Sequence, residues 1–169
     1  KLGCVFPGQG SQSLGMLANL AEQFPTILDT FAEASQVVGK DLWQIAQSGP
    51  QEALDSTEIT QPLMLAADVA VWRVWQMQTG PTPVILAGHS LGEYAALVAA
   101  DALTYADALK VVKVRAAAMA AAVPHGAGAM LAVIGLEDSV VAELCEQASG
   151  QDSIMPANFN APGQVVVAG

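Results

Sequence analysis

Along the chain, short apolar runs alternate with longer stretches whose apolar residues recur at helical spacing. Leu2 to Phe6 is a compact apolar run stopped by the turn residues of "PGQGSQ", and it predicts a short buried strand. Leu14 to about Phe24 predicts a helix that Pro25 breaks or restarts, and Ile27 to Val38 predicts the next, with Gly39 suited to its end. Ser48 to Pro62, "SGPQEALDSTEITQP", is polar and turn-rich and is expected to be a surface connection. Thr60 is then a suitable N-cap for a long apolar helix to about Met77, with Gly80 as its stop. That helix carries Asp68 and Arg73 among mostly apolar residues, so much of it should be buried.

Pro83 to Ala87 reads as a second strand, and Leu91 to Ala100 as the helix it feeds. Thr104 with Asp107 has the form of a capping box opening a third long helix, Tyr105 to Val123, which Pro124 ends. Helices separating short apolar strands point to an α/β fold with a parallel sheet covered on both faces. After "PHGAGAM" the texture changes: Met130 to Ile134 predicts a strand, Glu137 to Ala148 a helix, and "FNAPGQVVVAG" a turn entering another strand. This β, α, β run suggests a second small subdomain, dividing the chain into residues 1–125 and 126–169. The chain starts without Met and ends on the apolar run Val165 to Gly169, so a fragment of a longer protein is expected.

Composition narrows the function classes. The 169 residues are 53% hydrophobic, which raises the possibility of a membrane span in the uncharged run Ala116 to Leu136. Pro124, His125, Gly126 and Gly128 interrupt that run, whereas a spanning helix needs about 20 consecutive, mostly apolar residues. No signal peptide is evident, and a cytoplasmic location is expected. Six Lys and Arg against sixteen Asp and Glu give a formal charge of −10, which disfavours nucleic acid. One anion can still be held locally, since Lys110, Lys113 and Arg115 fall close together. Cys4 and Cys145 are too few and too far apart for a disulfide framework or a zinc site, and inert buried thiols are expected.

The chemistry centres on Ser90. A strand, then "GHSLG", then a helix is the arrangement of a nucleophile elbow, in which glycines are needed where a side chain would collide and the serine is thrust out above the sheet. The N–H of Leu91 lies at the start of the following helix, where backbone donors are unpaired and the dipole is positive, so it can stabilise an oxyanion. The alternative is an ordinary serine in a Gly-flanked loop. His89 is adjacent to Ser90 on a turn whose successive side chains point apart, so a supporting polar role fits it better than that of a base. "PGQGSQSLG" also lies between a strand and a helix, but Gly8, Gly10 and Gly15 have the wrong spacing for a nucleotide-phosphate loop. As a turn packed beside the elbow, it can supply a second oxyanion donor from the backbone of Gln9.

Together, "FPGQGSQ" (Phe6 to Gln12) and "GHSLGEY" (Gly88 to Tyr94) resemble the malonyl-CoA:acyl carrier protein transacylases of fatty acid synthesis. The resemblance continues through "VVKVRAAAM", "VPHGAGAM", "NFNAPGQVVVAG", "AEAS" and "DLW", essentially the whole chain. It implies an α/β-hydrolase-like subdomain followed by the first part of a ferredoxin-like one. It implies Ser90 as nucleophile, the backbone N–H groups of Gln9 and Leu91 as oxyanion donors, and Arg115 as the residue that binds the substrate carboxylate. Its implied partners are malonyl-CoA and acyl carrier protein, with no metal and no cofactor, because a thioester is already activated. The family's histidine base, and the glutamine whose carbonyl orients it, are expected beyond residue 169. His125 matches no catalytic position of the family, and loop polarity is its expected role. A polyketide synthase acyltransferase domain, a serine esterase or thioesterase, and a non-catalytic fragment stand as the alternatives.

Overall fold

The computed structural model describes residues 1–124, 126–150 and 153–169. The chain divides into two units, Lys1–Ala120 and Ala121–Gly169.

The first unit begins with β1 (Gly3–Phe6), followed by α1 (Ala18–Gln23), α2 (Thr26–Val38), α3 (Leu42–Ser48), α4 (Gln51–Asp55) and α5 (Thr57–Met77). Then come β2 (Ile85–Gly88), α6 (Gly92–Ala99) and α7 (Tyr105–Ala122), whose last turn passes into the second unit. β1 and β2 pair in parallel, Gly3 opposite Ile85 and Phe6 opposite Gly88. Their alternation sends Phe6 into the core, edge-on to Trp72 with ring centroids 6.2 Å apart. It sends Val5 and Ile85 the other way, where they remain 80% and 65% exposed. Among the described residues, the face that holds Val5 and Ile85 carries no such cover.

α5 is the axis of this unit. Leu63, Leu65, Ala66, Val69 and Ala70 are buried against α2 and α6, whose Ile27, Phe31, Ala34, Ala95 and Ala96 belong to the same core. Arg73 escapes burial of its charge by pairing with Glu33 at 2.6 Å while lying over the Tyr105 ring. Asp68 has no such partner. Its Oδ2 is buried without a hydrogen bond among the described residues, and burial pushes its carboxyl up to about 7.

Two expectations for this unit are corrected. Residues Ser48 to Pro62 are not a surface connection: they contain α4 and the first turns of α5, and Ile59, Thr60, Gln61 and Pro62 are buried. Thr60 is accordingly not an N-cap. α5 starts at Thr57, and the Thr60 hydroxyl donates back to the carbonyls of Leu54 and Ser56. Local polarity pointed to solvent because the partners that satisfy these groups lie in other helices or a turn away. α1 also starts later than Leu14, because Leu17 takes a left-handed φ of 62° and leaves the preceding residues in turns. Half of the expected capping box of α7 is present: the Asp107 N–H donates to Thr104 Oγ1 at 3.2 Å, while the Asp107 carboxylate accepts from the Thr104 hydroxyl at 2.8 Å rather than from its backbone N–H.

The second unit holds β3 (Met130–Ile134), α8 (Asp138–Ala148), β4 (Met155–Ala161) and β5 (Gln164–Ala168). The sheet is antiparallel in the order β3-β5-β4. Val141 and Cys145 of α8 pack on Val165 to form its core. The expected single strand after α8 is a hairpin. β4 occupies part of what reads as a turn: Pro156, Asn158 and Asn160 are turn formers by type, yet the segment pairs with β5 through bulges between Pro156 and Asn158 and between Phe159 and Ala161.

Candidate active site

Backbone packs closely on backbone where β2 turns into α6. A Cβ on Gly88 would stand 2.1 Å from the Gly92 carbonyl oxygen, and one on Gly92 would stand 2.1 Å from the Phe6 carbonyl oxygen. Both positions exclude any side chain. Between them Ser90 has a φ of 53°, a left-handed conformation that non-glycine residues rarely take and that costs about 1–3 kcal/mol. The strain delivers the Ser90 side chain to the surface at the N-terminus of α6, while Leu91 beside it is buried.

The N-terminal loop lies against this turn. A Cβ on Gly8 would stand 2.9 Å from the His89 carbonyl oxygen and 3.8 Å from the Leu91 nitrogen. Gly8 thereby carries the neighbouring Gln9 to the elbow. The N–H groups of Gly92, Glu93 and Tyr94 bond the carbonyls of His89, Ser90 and Leu91. Among the described residues, the N–H groups of Leu91 and Gln9 donate no hydrogen bond. His89 is exposed, and its backbone carbonyl rather than its ring is engaged, accepting from Gly92 at 3.0 Å. His125 lies outside the described residues.

Arg115 reaches the serine from α7. Its Nη2 donates to Ser90 Oγ at 2.9 Å, and its guanidinium lies 5.8 Å from the centre of the Tyr94 ring. Its Nη1 donates to Oε1 of Gln61, a fully buried residue of α5. The other two cations of the cluster go elsewhere: Lys110 pairs with Asp107 at 2.9 Å, and Lys113 donates to the Val37 carbonyl at 2.8 Å. Arg115 alone of the three bonds the serine.

Gln61 is the residue that the sequence concealed. Its Nε2 donates to Thr57 Oγ1 at 2.9 Å and to Met119 Sδ at 3.3 Å, and Thr57 Oγ1 donates to Gln9 Oε1 at 2.9 Å. A polar residue before a proline carries no local sign of such a role.

A strained serine at a helix N-terminus with a guanidinium bonded to its oxygen is an arrangement on which acyl transfer can run. Residues 4–169 match the model of the acyl transferase domain, and the chain belongs to that family. It is 54% identical over 165 residues to a malonyl CoA-acyl carrier protein transacylase of Salmonella typhimurium, covering 98% of this chain and 53% of that protein. The chain thus spans about half the length of the curated relatives it matches. Among solved structures, a malonyl-CoA:acyl carrier protein transacylase of Xanthomonas oryzae matches with a TM-score of 0.94 and 58% identity, over 98% of this chain and 53% of that one. A structure of a type II PKS acyl-carrier protein in complex with its malonyl-transacylase matches with a TM-score of 0.93 and 52% identity, over 99% of this chain and 54% of that chain. Among the described residues no helix is long and apolar enough to cross a membrane.

Proposed function

We propose that this chain carries the nucleophile, the oxyanion donors and the carboxylate anchor of a malonyl-CoA:acyl carrier protein transacylase. The observation that carries the reading is the 2.9 Å contact between Arg115 Nη2 and Ser90 Oγ. In a malonyl thioester one methylene separates the free carboxylate from the carbonyl carbon under attack. A guanidinium within reach of the attacking oxygen is therefore within reach of that carboxylate. Its planar fork suits a carboxylate, and the charge-assisted bonds gain strength as the pocket excludes water.

In this mechanism Ser90 Oγ attacks the thioester carbonyl of malonyl-CoA. Its proton passes to a general base, which the resemblance assigns to a histidine not among these 169 residues. The tetrahedral oxyanion is held by the N–H groups of Gln9 and of Leu91, the residue that opens α6, where the helix dipole is positive. The carbon–sulfur bond breaks, CoA leaves as the thiol with the proton returned from the base, and malonyl-Ser90 remains. The phosphopantetheine thiol of acyl carrier protein then attacks the ester and regenerates the Ser90 hydroxyl. A carrier as second substrate is supported by the carrier complex formed by the structural relative. The division near residue 125 into a nucleophile-bearing part and a ferredoxin-like part belongs to the same reading, as does a cytoplasmic location.

The test is a transfer assay with the complete protein, malonyl-CoA and phosphopantetheine-bearing carrier protein. Malonyl transfer with parallel double-reciprocal lines is expected, because CoA departs before the carrier binds. Release of free malonate without transfer would identify a hydrolase instead.

A further inference from the structure

The hydrogen bonds behind Arg115 run in one direction. A guanidinium has only donors, so the Gln61 amide must turn its carbonyl oxygen to Arg115 and its NH₂ group away from it. That NH₂ group meets Thr57 Oγ1 and Met119 Sδ, and the Thr57 hydroxyl is then left to donate to Gln9 Oε1. The chain of donors thus starts at the candidate carboxylate anchor and ends on the loop of the candidate oxyanion donor. It passes through a side chain with no exposed surface.

Burial gives this chain its force. An unpaired amide in the interior costs about 1–3 kcal/mol, so Gln61 is held to an orientation in which its polar atoms are satisfied. Arg115 has a long, flexible side chain whose other contacts are Ser90 Oγ and the Tyr94 ring. With Nη1 fixed by Gln61, the plane of the guanidinium is set, and Nη2 is aimed at the serine.

We infer that Gln61 is a positioning residue that orients the Arg115 guanidinium for an acyl group bearing a free carboxylate, and so sets the preference for charged over neutral acyl groups. The inference rests on the reading of Arg115 as the carboxylate anchor. Gln61 touches no reacting atom. Its contribution is to reduce the orientational freedom that Arg115 would lose on binding substrate.

The test compares kcat/KM for malonyl-CoA and acetyl-CoA in the complete protein, for the wild type, Gln61→Leu, Thr57→Val, Arg115→Ala and the Gln61→Leu/Arg115→Ala double variant. Gln61→Leu keeps the side chain's approximate volume and removes both ends of the relay. The malonyl-to-acetyl ratio is expected to fall about tenfold, as for loss of one charge-assisted hydrogen bond. Thr57→Val lies nearer the surface and should shift the ratio the same way by a smaller factor, which keeps the test decisive if Gln61→Leu does not fold. In the Arg115→Ala background, Gln61→Leu should leave the ratio where Arg115→Ala alone puts it. A ratio unchanged by Gln61→Leu while Arg115→Ala lowers it overturns the role of Gln61 and leaves that of Arg115 intact. A ratio unchanged by Arg115→Ala overturns the carboxylate reading, and this inference with it.

Discussion

Gly92 lies so close to Phe6 that a Cβ on it would stand 2.1 Å from the Phe6 carbonyl oxygen and 2.7 Å from that of Pro7. The first residue of α6 is thus pressed against the end of β1, and the elbow and the N-terminal loop are packed as one piece. Gly92→Val has no open space to enter, since the atoms it meets are backbone. It is expected to cost about 3 kcal/mol or more and to abolish activity together with stability. Thermal unfolding and transfer assays on the same preparation check this. A stable, fully active Gly92→Val would contradict the packed turn.

Arg115 is 25 residues from Ser90 in sequence, and its Nη2 is 2.9 Å from Oγ. Arg115→Ala removes a charge-assisted contact to a malonyl carboxylate, a loss of about 1.5–3 kcal/mol, or at least about tenfold in kcat/KM for malonyl-CoA. Acetyl-CoA carries no carboxylate and should lose far less. Arg115→Lys should restore only part of the difference, because one ammonium cannot present the planar fork. An equal fall for both substrates would make Arg115 a structural or CoA-binding residue.

Asp68 sits in a largely apolar cleft with Phe6, Met64 and Trp72, where burial raises its carboxyl from the ordinary 3.8 to about 7. Between those values the folded chain holds a proton that the unfolded chain has released. The associated stability is therefore fully present below pH 3.8 and is lost as pH rises through about 7. Asp68→Asn keeps the shape and removes the titration. It should change stability little at pH 4 and raise it at pH 8, by up to about 4 kcal/mol. Thermal unfolding at the two pH values is the measurement. An equal shift at both would remove the buried carboxyl as its cause.

The elbow was legible in the sequence because its requirements are local. Gly88 and Gly92 are glycines on account of backbone contacts within a few residues of Ser90 or on the adjoining strand, and the strand and helix around them keep clean apolar patterns. Arg115 was not placed by pattern: a cation on a helix reads equally as a surface charge, and the family resemblance singled it out. Gln61 was not legible at all. Its partners are Thr57 on its own helix and Arg115 and Met119, 54 and 58 residues away. A buried, satisfied amide therefore looked like part of a polar connection. β4 was missed even though Met155, Ala157, Phe159 and Ala161 alternate with Pro156, Asn158 and Asn160, because a proline and two asparagines so close together read as turn residues, and only the pairing with β5 makes them a strand.

The central claim is that Ser90 accepts the acyl group. Removing its hydroxyl takes one exposed oxygen from a turn held by glycine packing, so Ser90→Ala should retain the wild-type fold and unfolding temperature. The most direct measurement is mass spectrometry of proteolytic peptides from the complete protein after brief exposure to malonyl-CoA. The account predicts a malonyl ester on the peptide containing Ser90, discharged when phosphopantetheine-bearing carrier protein is added and absent from Ser90→Ala. A malonyl group on another residue, or an adduct that persists in Ser90→Ala, would contradict it.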